Sequence, residues 1–437
     1  MDMEKTATAI CKKLQNAGFE AFFAGGAVRD LLIQKTPKDI DIATNARPEE
    51  MEKLFGKTFA TGKNFGVLLI EEGGYHFEVA TFRNDIGSSD GRRPDAIHFS
   101  KKEEDAFRRD FTVNALFWDP IAKKLYDFVN GEQDIHDRVL RFVGDPEERI
   151  QEDFLRILRA VRFKNTLGFS YESLLKEAIQ KHASLTGQIS AERVRQELTK
   201  MLSGVHRSAT INDLAEFGIL PVVLPEIDVL RNISDSHRNR TVFEHTLSCL
   251  SFLPENTDSI LAWAILFHDT GKAITPQKKY DRIHFPKHEK ESEKIAKKVT
   301  KRLAFSRFET DKIAWLCREH IPFYGVLNMT RAHRLHFYDH PFFEDLLQLC
   351  RCDALGDDGN DNLVQRIQED YENAREKRLL PQFHPDLLSG KEIMDIAKVE
   401  QGKQVGVLKH RLREAQILGE IHTKKEAEEW IRERKSF

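Results

Sequence analysis

Apolar positions between residues 3 and 17 recur at three- and four-residue spacing and stop at Gly18, which predicts an amphipathic helix. The run FEAFFAGG (19–26) reads as a short buried strand entering a paired-glycine turn, and AVRDLLIQ (27–34) as the helix that follows. DIDIAT (39–44) alternates acid and apolar residues for one strand. GVLLIEE and HFEVATF, separated by Gly73 and Gly74, predict a hairpin. Residues 1 to about 140 therefore read as a compact α/β domain. Beyond Arg149 the period is almost everywhere helical, interrupted by loops at SDSHRNR (234–240), TPQKKYDRIHFPKH (275–288) and LGDDGNDN (355–362). The last stretch, HTKKEAEEWIRERKSF, reads as a mixed-charge helix with a solvated face. No fixed-period repeat and no low-complexity tract is present.

The chain has 437 residues, 40% apolar and 31% charged, with 67 basic against 70 acidic side chains. That balance excludes collagen-like, disordered and disulfide-scaffold classes, and the net charge of −3 excludes a globally basic nucleic-acid binder but not local basic surfaces. No apolar run reaches the roughly 18 residues of a membrane helix, and MDMEKTATAICKK lacks the features of a secretory signal. Five scattered cysteines (Cys11, Cys249, Cys317, Cys350 and Cys352) suit a reduced, cytoplasmic protein.

Three groups of residues in the first 165 carry chemistry. Gly25-Gly26 at a strand-to-helix junction permits close approach of a phosphate, although such a pair by itself is usually only a turn. Asp39 and Asp41, at i and i+2 on a strand, share a face, and two like charges there are costly unless a cation sits between them. The pair suits Mg²⁺, with Glu78 as a candidate third carboxylate; an exposed polar strand face is the plainer alternative. Arg108-Arg109-Asp110 and Asn114 suit a triphosphate and its ribose. Asp153, Arg156 and Arg159 fall at helical spacing on neighbouring turns, as they would in an exposed ion-paired helix. A carboxylate accepting from an exocyclic amine beside an arginine donating to a ring acceptor would also select cytosine and adenine over uracil and guanine.

GGAVRD (25–30), DIDIAT (39–44), RRDFTVNAL (108–116), DFVNG (127–131) and EDFLRILRAVRF (152–163) together resemble the class II tRNA nucleotidyltransferases, over roughly the first 200 residues in order. The resemblance implies an α+β protein: a polymerase-β-like head (1–140), then an elongated all-helical neck (141–205), body (206–365) and tail (366–437) holding the tRNA acceptor arm. It implies catalytic Mg²⁺ on Asp39 and Asp41, with CTP and ATP as substrates. Gly25, Gly26, Arg29, Arg109, Asp110 and Asn114 would serve sugar and phosphates, Asp153 and Arg156 the base, and Arg159 a phosphate. ISAERVRQEL (189–198), with Glu192, Arg193 and Glu197, resembles the neck motif that positions the base readers. NDIGSSDGRRPDAIHFS (84–100) resembles the loop needed to switch from C to A, which disfavours a CC-only enzyme. TGKNFGVLLI departs from the basic signature of bacterial poly(A) polymerases. CCA addition leads; an A-adding enzyme with a separate CC-adding partner is the alternative.

His245, His268-Asp269 and Asp353, with Gly271-Lys272, His284 and His288 nearby, resemble the HD-type phosphohydrolases over residues 235–360. A lone HD pair in an apolar helix is more often core, but this series offers imidazole and carboxylate ligands for a transition metal or Mg²⁺. The resemblance implies metal-dependent hydrolysis of phosphate esters, such as a damaged tRNA end. A protein acting chiefly as an HD phosphohydrolase with an RNA-binding head is the reading from another class, and a pure tRNA-binding or chaperone role the third. Cys350 and Cys352 lack a second cysteine pair for zinc and read as buried small hydrophobes. Nothing in the sequence sets the oligomeric state.

Overall fold

The computed structural model describes residues 2–62, 66–86, 96–235, 240–279, 282–380 and 386–434. Most of the segment read as the C-to-A loop, residues 87–95, lies outside them, as do parts of two other predicted loops (236–239 and 280–281). The chain divides into two compact units, Met1–Pro225 and Glu226–Phe437.

The first unit opens with α1 (Met3–Asn16), capped by the Asp2 side chain and burying Thr6, Ala7, Ile10, Cys11 and Leu14 on one face. Its strands are β1 (Ala21–Ala24), β2 (Asp41–Thr44), β3 (Thr58–Gly62), β4 (Val67–Glu72), β5 (Tyr75–Thr81), β6 (Arg83–Ile86), β7 (Ala96–Phe99), β8 (Phe117–Asp119) and β9 (Lys124–Tyr126), with the short parallel pair β10 (Val139–Leu140) and β11 (Ser170–Tyr171). Seven of them form one sheet in the order β3-β4-β5-β2-β1-β8-β9, mixed because only β2 and β5 run parallel. The predicted hairpin is β4–β5, closed between Glu72 and Tyr75 by two glycines at φ of 59° and 83°, as a primed hairpin turn requires. Around β1, Phe22, Phe82, Phe117 and Tyr126 interlock, with Phe22 and Tyr126 centroids 5.1 Å apart and the Phe82–Phe117 edge contact at 5.9 Å.

The head helices are α2 (Gly26–Leu32), α3 (Pro48–Leu54), α4 (Lys102–Arg108) and α5 (Gly131–Asp137). Then come α6 (Pro146–Glu152), α7 (Leu155–Leu167), α8 (Ser173–His182), α9 (Ala191–Leu202), α10 (Arg207–Glu216) and α11 (Leu220–Val223). The sequence reading placed Asp153, Arg156 and Arg159 on one continuous helix. Instead the chain breaks at Asp153, which caps α6 in an extended conformation (φ −157°, ψ 107°) while its Oδ1 accepts the Leu155 N–H at 3.0 Å to start α7. A second correction concerns DIDIAT: the strand begins only at Asp41, and Asp39 lies in the segment before it.

The second unit is helical: α12 (Pro225–Asp228) at its start, then α13 (Val242–Ser251), α14 (Ser259–Phe267), α15 (His288–Arg302), α16 (Arg307–Phe323), α17 (Arg331–Tyr338), α18 (Phe343–Asp357), α19 (Asn362–Glu376), α20 (Gly390–Ala397), α21 (Lys403–Ile417) and α22 (Lys424–Arg434). All but one residue of SILAWAILF in α14 are buried, so this helix is central and not amphipathic. Two predicted loops carry short ladders, β12 (Ser234–Asp235) with β13 (Arg240–Thr241) and β14 (Gln277–Lys279) with β15 (Arg282–His284). Leu388, Ile393, Leu408, Leu412, Ala427 and Ile431 give α20–α22 a core of their own. All five cysteines are free and buried, as read for Cys350 and Cys352. No helix among the described residues is long and apolar enough to cross a membrane.

Candidate active site and metal centre

The register of the head sheet assembles the first site. Ala24 pairs with Asp41, so the carboxylate stands beside the turn that follows β1. Gly25 is held at φ 71° and ψ −134°, a conformation open to glycine, and a Cβ there would lie 3.1 Å from Arg109 Nη1. Across the parallel β2–β5 pair, Ile42 faces Val79, which sets Glu78 next to Asp41. These groups border one cleft of about 1630 Å³, which also takes in Gly26, Arg29, Asp39, Arg109, Asp110, Asn114, Asp153, Arg156 and Arg159. Every head residue named from the sequence thus meets at a single cavity. Desolvation, then the charges of Asp39 and Glu78, push Asp41 up to about 6, with Arg109 pulling the other way. Three carboxylates with too little positive charge among them fit a hard, oxygen-preferring divalent cation.

The arginines are already engaged. Arg29 is buried, donating to Asp30 at 2.9 Å through Nε and to Asn114 Oδ1 at 2.5 Å through Nη1, so it ties α2 to the turn before β8. Arg109 pairs with Asp105 at 3.1 Å. Burial would raise the Asp105 carboxyl, but Arg109 and Arg108 hold it below its ordinary value. Arg159 donates through Nε to Asp110 at 2.8 Å and keeps that carboxyl low against desolvation. Asp153 Oδ2 accepts from Arg193 of α9 at 2.6 Å, while Arg156 Nη1 binds Glu152 and the Arg149 carbonyl (2.7 Å). Asp153 and Arg156 therefore do not bond to each other; each is set by a neighbour. Arg162 meets the buried Glu197 at 2.6 Å. Arg149, outside the quoted motifs, and Phe163, the last residue of EDFLRILRAVRF, complete the frame. Arg149 donates to the carbonyls of Arg108 and Arg109, both at 2.6 Å, and the Phe163 ring lies under Arg29, Arg159 and Arg162 at 5.6, 5.3 and 4.0 Å.

The second site is buried between α13, α14, α15, α16 and α18. His245 Nε2 lies 3.0 Å from Asp353, His268 Nε2 lies 3.4 Å from Asp269 and 3.6 Å from Asp353, and His288 Nε2 lies 3.1 Å from Asp269. All four residues named from the sequence come together, and His288 joins them; His284, on β15, is not among the converging ligand atoms of the described residues. The sequence reading missed His320, whose Nε2 stands 3.2 Å from that of His288, and Tyr324, whose hydroxyl donates to Asp353 at 2.7 Å. Lys272 binds Asp269 at 2.7 Å. Three imidazoles are turned the same way: Nδ1 of His268, His288 and His320 sits 2.7, 2.9 and 2.7 Å from the carbonyls of Ile265, Phe285 and Cys317, leaving Nε2 to face the carboxylates. His268 Nε2 is buried with no hydrogen-bond partner, an orphaned atom that a metal would satisfy. Burial pushes His268 down, yet Asp269 and Asp353 outweigh it and hold it at about 9, so the site favours positive charge. His245 is the exception. Its Nδ1 accepts from Arg240 at 2.8 Å, and metal ligation through Nε2 requires Arg240 to give up that bond.

Gly271 sets this centre. A Cβ on it would lie 2.1 Å from the His288 carbonyl oxygen and 2.8 Å from the Ser292 nitrogen, both backbone. Gly271→Ala is expected to push the start of α15 outward and carry His288 off Asp269. Overpacking of this kind costs about 1–3 kcal/mol, or about 2–4 °C of melting temperature per kcal/mol in a unit of this size. A thermal melt checks it; an unchanged midpoint would show that α15 can shift without strain.

Comparison with known proteins follows this division. A family model described as the poly A polymerase head domain matches residues 21–141, one described as a probable RNA and SrmB-binding site of polymerase A matches 168–230, and an HD domain model matches 242–355. A CCA-adding enzyme of Lactobacillus helveticus is 44% identical over 46% of this chain and 50% of its own length. One from Lactobacillus delbrueckii subsp. bulgaricus is 37% identical over 59% of this chain and 67% of its own. The chain belongs to the CCA-adding enzyme family. Its alignments with these relatives span about half to two thirds of their length. The structure of the Bacillus stearothermophilus CCA-adding enzyme in complex with CTP superimposes over 99% of this chain and 98% of its own, with 25% identity and a TM-score of 0.75. The family consists of tRNA nucleotidyltransferases, polymerase-type enzymes that depend on divalent metal.

Proposed function

We propose that this cytoplasmic protein builds or repairs tRNA 3′ ends, adding C, C and A from CTP and ATP without a nucleic-acid template. The observation that carries the reading is the single cleft holding Asp39, Asp41 and Glu78 together with Asp153 and Arg156. Asp39 and Asp41 would hold Mg²⁺, which supplies activation of the tRNA 3′-hydroxyl and stabilisation of the pyrophosphate leaving group. Gly25 and Gly26 let the backbone approach the triphosphate, and Arg109, fixed by Asp105, presents positive charge to it. Arg159 and Asp110 stand where the sugar and phosphates would lie, with Asn114 held by Arg29. Asp153, braced by Arg193, accepts from the exocyclic amine shared by cytosine and adenine, and Arg156 donates to the adjacent ring acceptor. Uracil and guanine would leave both groups unpaired.

The test is incubation of the protein with Mg²⁺, labelled CTP or ATP, and tRNA ending before CCA or after CC. Two cytidines and one adenosine on the first substrate are expected. Labelling by ATP alone, on the CC-ended tRNA alone, would make this an A-adding enzyme that needs a CC-adding partner.

The histidine–aspartate cluster supports a second activity: metal-dependent hydrolysis of phosphate esters, such as a 2′,3′-cyclic or 2′-phosphate tRNA end. His245, His268, Asp269 and Asp353 would hold a transition metal. His268→Ala is expected to abolish this hydrolysis and leave nucleotide incorporation within about threefold, with Asp41→Ala doing the reverse. Hydrolysis surviving His268→Ala would remove the second activity from this cluster.

A further inference from the structure

Away from both sites, three imidazoles and a carboxylate meet where α17 approaches α21. His333 and His336 are one turn apart on α17, and His410 and Glu414 one turn apart on α21, so each helix offers two donors on one face. One ligand atom from each of His333, His410 and Glu414 lies within 4.8 Å of the others. The His410 ring centroid is 5.3 Å from that of His336 and 6.4 Å from that of His333, and His410 Nε2 stands 3.6 Å from Glu414.

Three details point to a cation and not to incidental packing. His336 Nε2 is buried with no hydrogen-bond partner, and leaving such a group unsatisfied is costly. His333 Nδ1 sits 2.7 Å from the Thr330 hydroxyl, a partner that fixes the ring as supporting partners do at metal sites. On α21, Arg413 and Lys409 are both drawn to the Asp386 carboxylate, at 3.2 and 2.8 Å.

We infer that His333, His410 and Glu414, with His336 as the fourth donor, form a transition-metal site that ties α17 to the α20–α22 bundle. Imidazole with one carboxylate selects Zn²⁺, Co²⁺, Ni²⁺ or Cu²⁺ over Mg²⁺ and Ca²⁺. Zn–N and Zn–O bonds of about 2.0–2.1 Å put tetrahedral ligand atoms about 3.3 Å apart, so binding draws His333, His410 and Glu414 together by about 1.5 Å at most, and His336, outside that set, has farther to come. His333 and His410 are exposed, so the ion has a path in from solvent. The consequence is a bundle whose attachment to α17 depends on metal.

The experiment uses the full chain without an affinity tag. Zn²⁺ stoichiometry is read by equilibrium dialysis, and ligand field by the visible absorption of Co²⁺. His333→Ala and His410→Ala are each expected to hold one equivalent less Zn²⁺ than the parent, and Glu414→Gln to bind that equivalent at least tenfold more weakly. A His268→Ala/Asp353→Ala variant, disabled at the buried cluster, should retain it with a tetrahedral Co²⁺ spectrum. Equal stoichiometry in the parent and both histidine variants, or an equivalent that disappears with His268 and Asp353 alone, would overturn the site. Folding of every variant is verified by circular dichroism; His333 and His410 are on the surface.

Discussion

Asp41→Asn should reduce nucleotide incorporation by about a thousandfold or more and, in the same molecule, raise the stability of the metal-free head. The activity loss follows from the role proposed for the carboxylate: a metal contributes several kcal/mol of transition-state stabilisation, and each 1.36 kcal/mol is tenfold in rate. The stability gain follows from Asp41 being held at about 6 by desolvation and by the charges of Asp39 and Glu78. A carboxyl raised above its unfolded value costs nothing below that unfolded value of 3.8; the penalty grows as pH climbs from there to about 6 and is complete above it. Because Asp41 is accessible in the open cleft, solvent screening reduces the penalty to about 1 kcal/mol. Melting curves at pH 8 and pH 4 separate the two effects. Asparagine should raise the midpoint at pH 8 and by much less at pH 4, and Mg²⁺ should stabilise the parent at pH 8 but not the variant. A variant equally unstable at both pH values, or one responding to Mg²⁺ as the parent does, would mean that Asp41 is not where the cation binds.

What could be read in the sequence was what short-range pattern dictates. Gly25-Gly26 after a buried FFA strand, the Gly73-Gly74 hairpin and the apolar LAWAILF ahead of His268 all owe their structure to neighbours within a few residues, and all stand as read. The break at Asp153 did not show, because EDFLRILRAVRF has helical period throughout. Only the capture of Asp153 by Arg193, forty positions later, and of the Leu155 N–H by its other oxygen makes the interruption favourable. His320 was invisible for a related reason: CREHIPF has no ligand spacing to its partners, and the residue joins Asp269 and His288 because α16 packs along α15. Arg149 likewise has a role set by the carbonyls of Arg108 and Arg109, about forty positions earlier. Residues of the chemical motifs were legible, and Arg193 was named with the neck motif; Arg149, His320 and Tyr324 were not, since their contacts are made across the fold.

That distinction decides the second large effect, at Asp153. The residue carries two functions on two oxygens: Oδ1 begins α7, and Oδ2 meets Arg193. Asp153→Ala removes both, and losing a cap of this kind costs about 0.5–2 kcal/mol, so a drop in activity there would be ambiguous. Asp153→Asn separates them. Its amide oxygen can still accept from Leu155, preserving the start of the helix, while an NH₂ replaces the acceptor beside Arg193 and the incoming base. The variant should melt within a few degrees of the parent, yet its preference for CTP and ATP over UTP and GTP should fall at least about a hundredfold, because a donor now faces the exocyclic amine and an acceptor on uracil or guanine is no longer refused. Arg156→Ala should erode the same preference from the other side of the pair, with less effect on folding, since its recorded bonds to Glu152 and the Arg149 carbonyl lie at the cleft edge. The measurement is kcat/KM for all four triphosphates on one tRNA. A CTP-to-UTP ratio unchanged in Asp153→Asn would leave the carboxylate as a helix cap and neck contact, and the choice of base would have to be made elsewhere in the cleft.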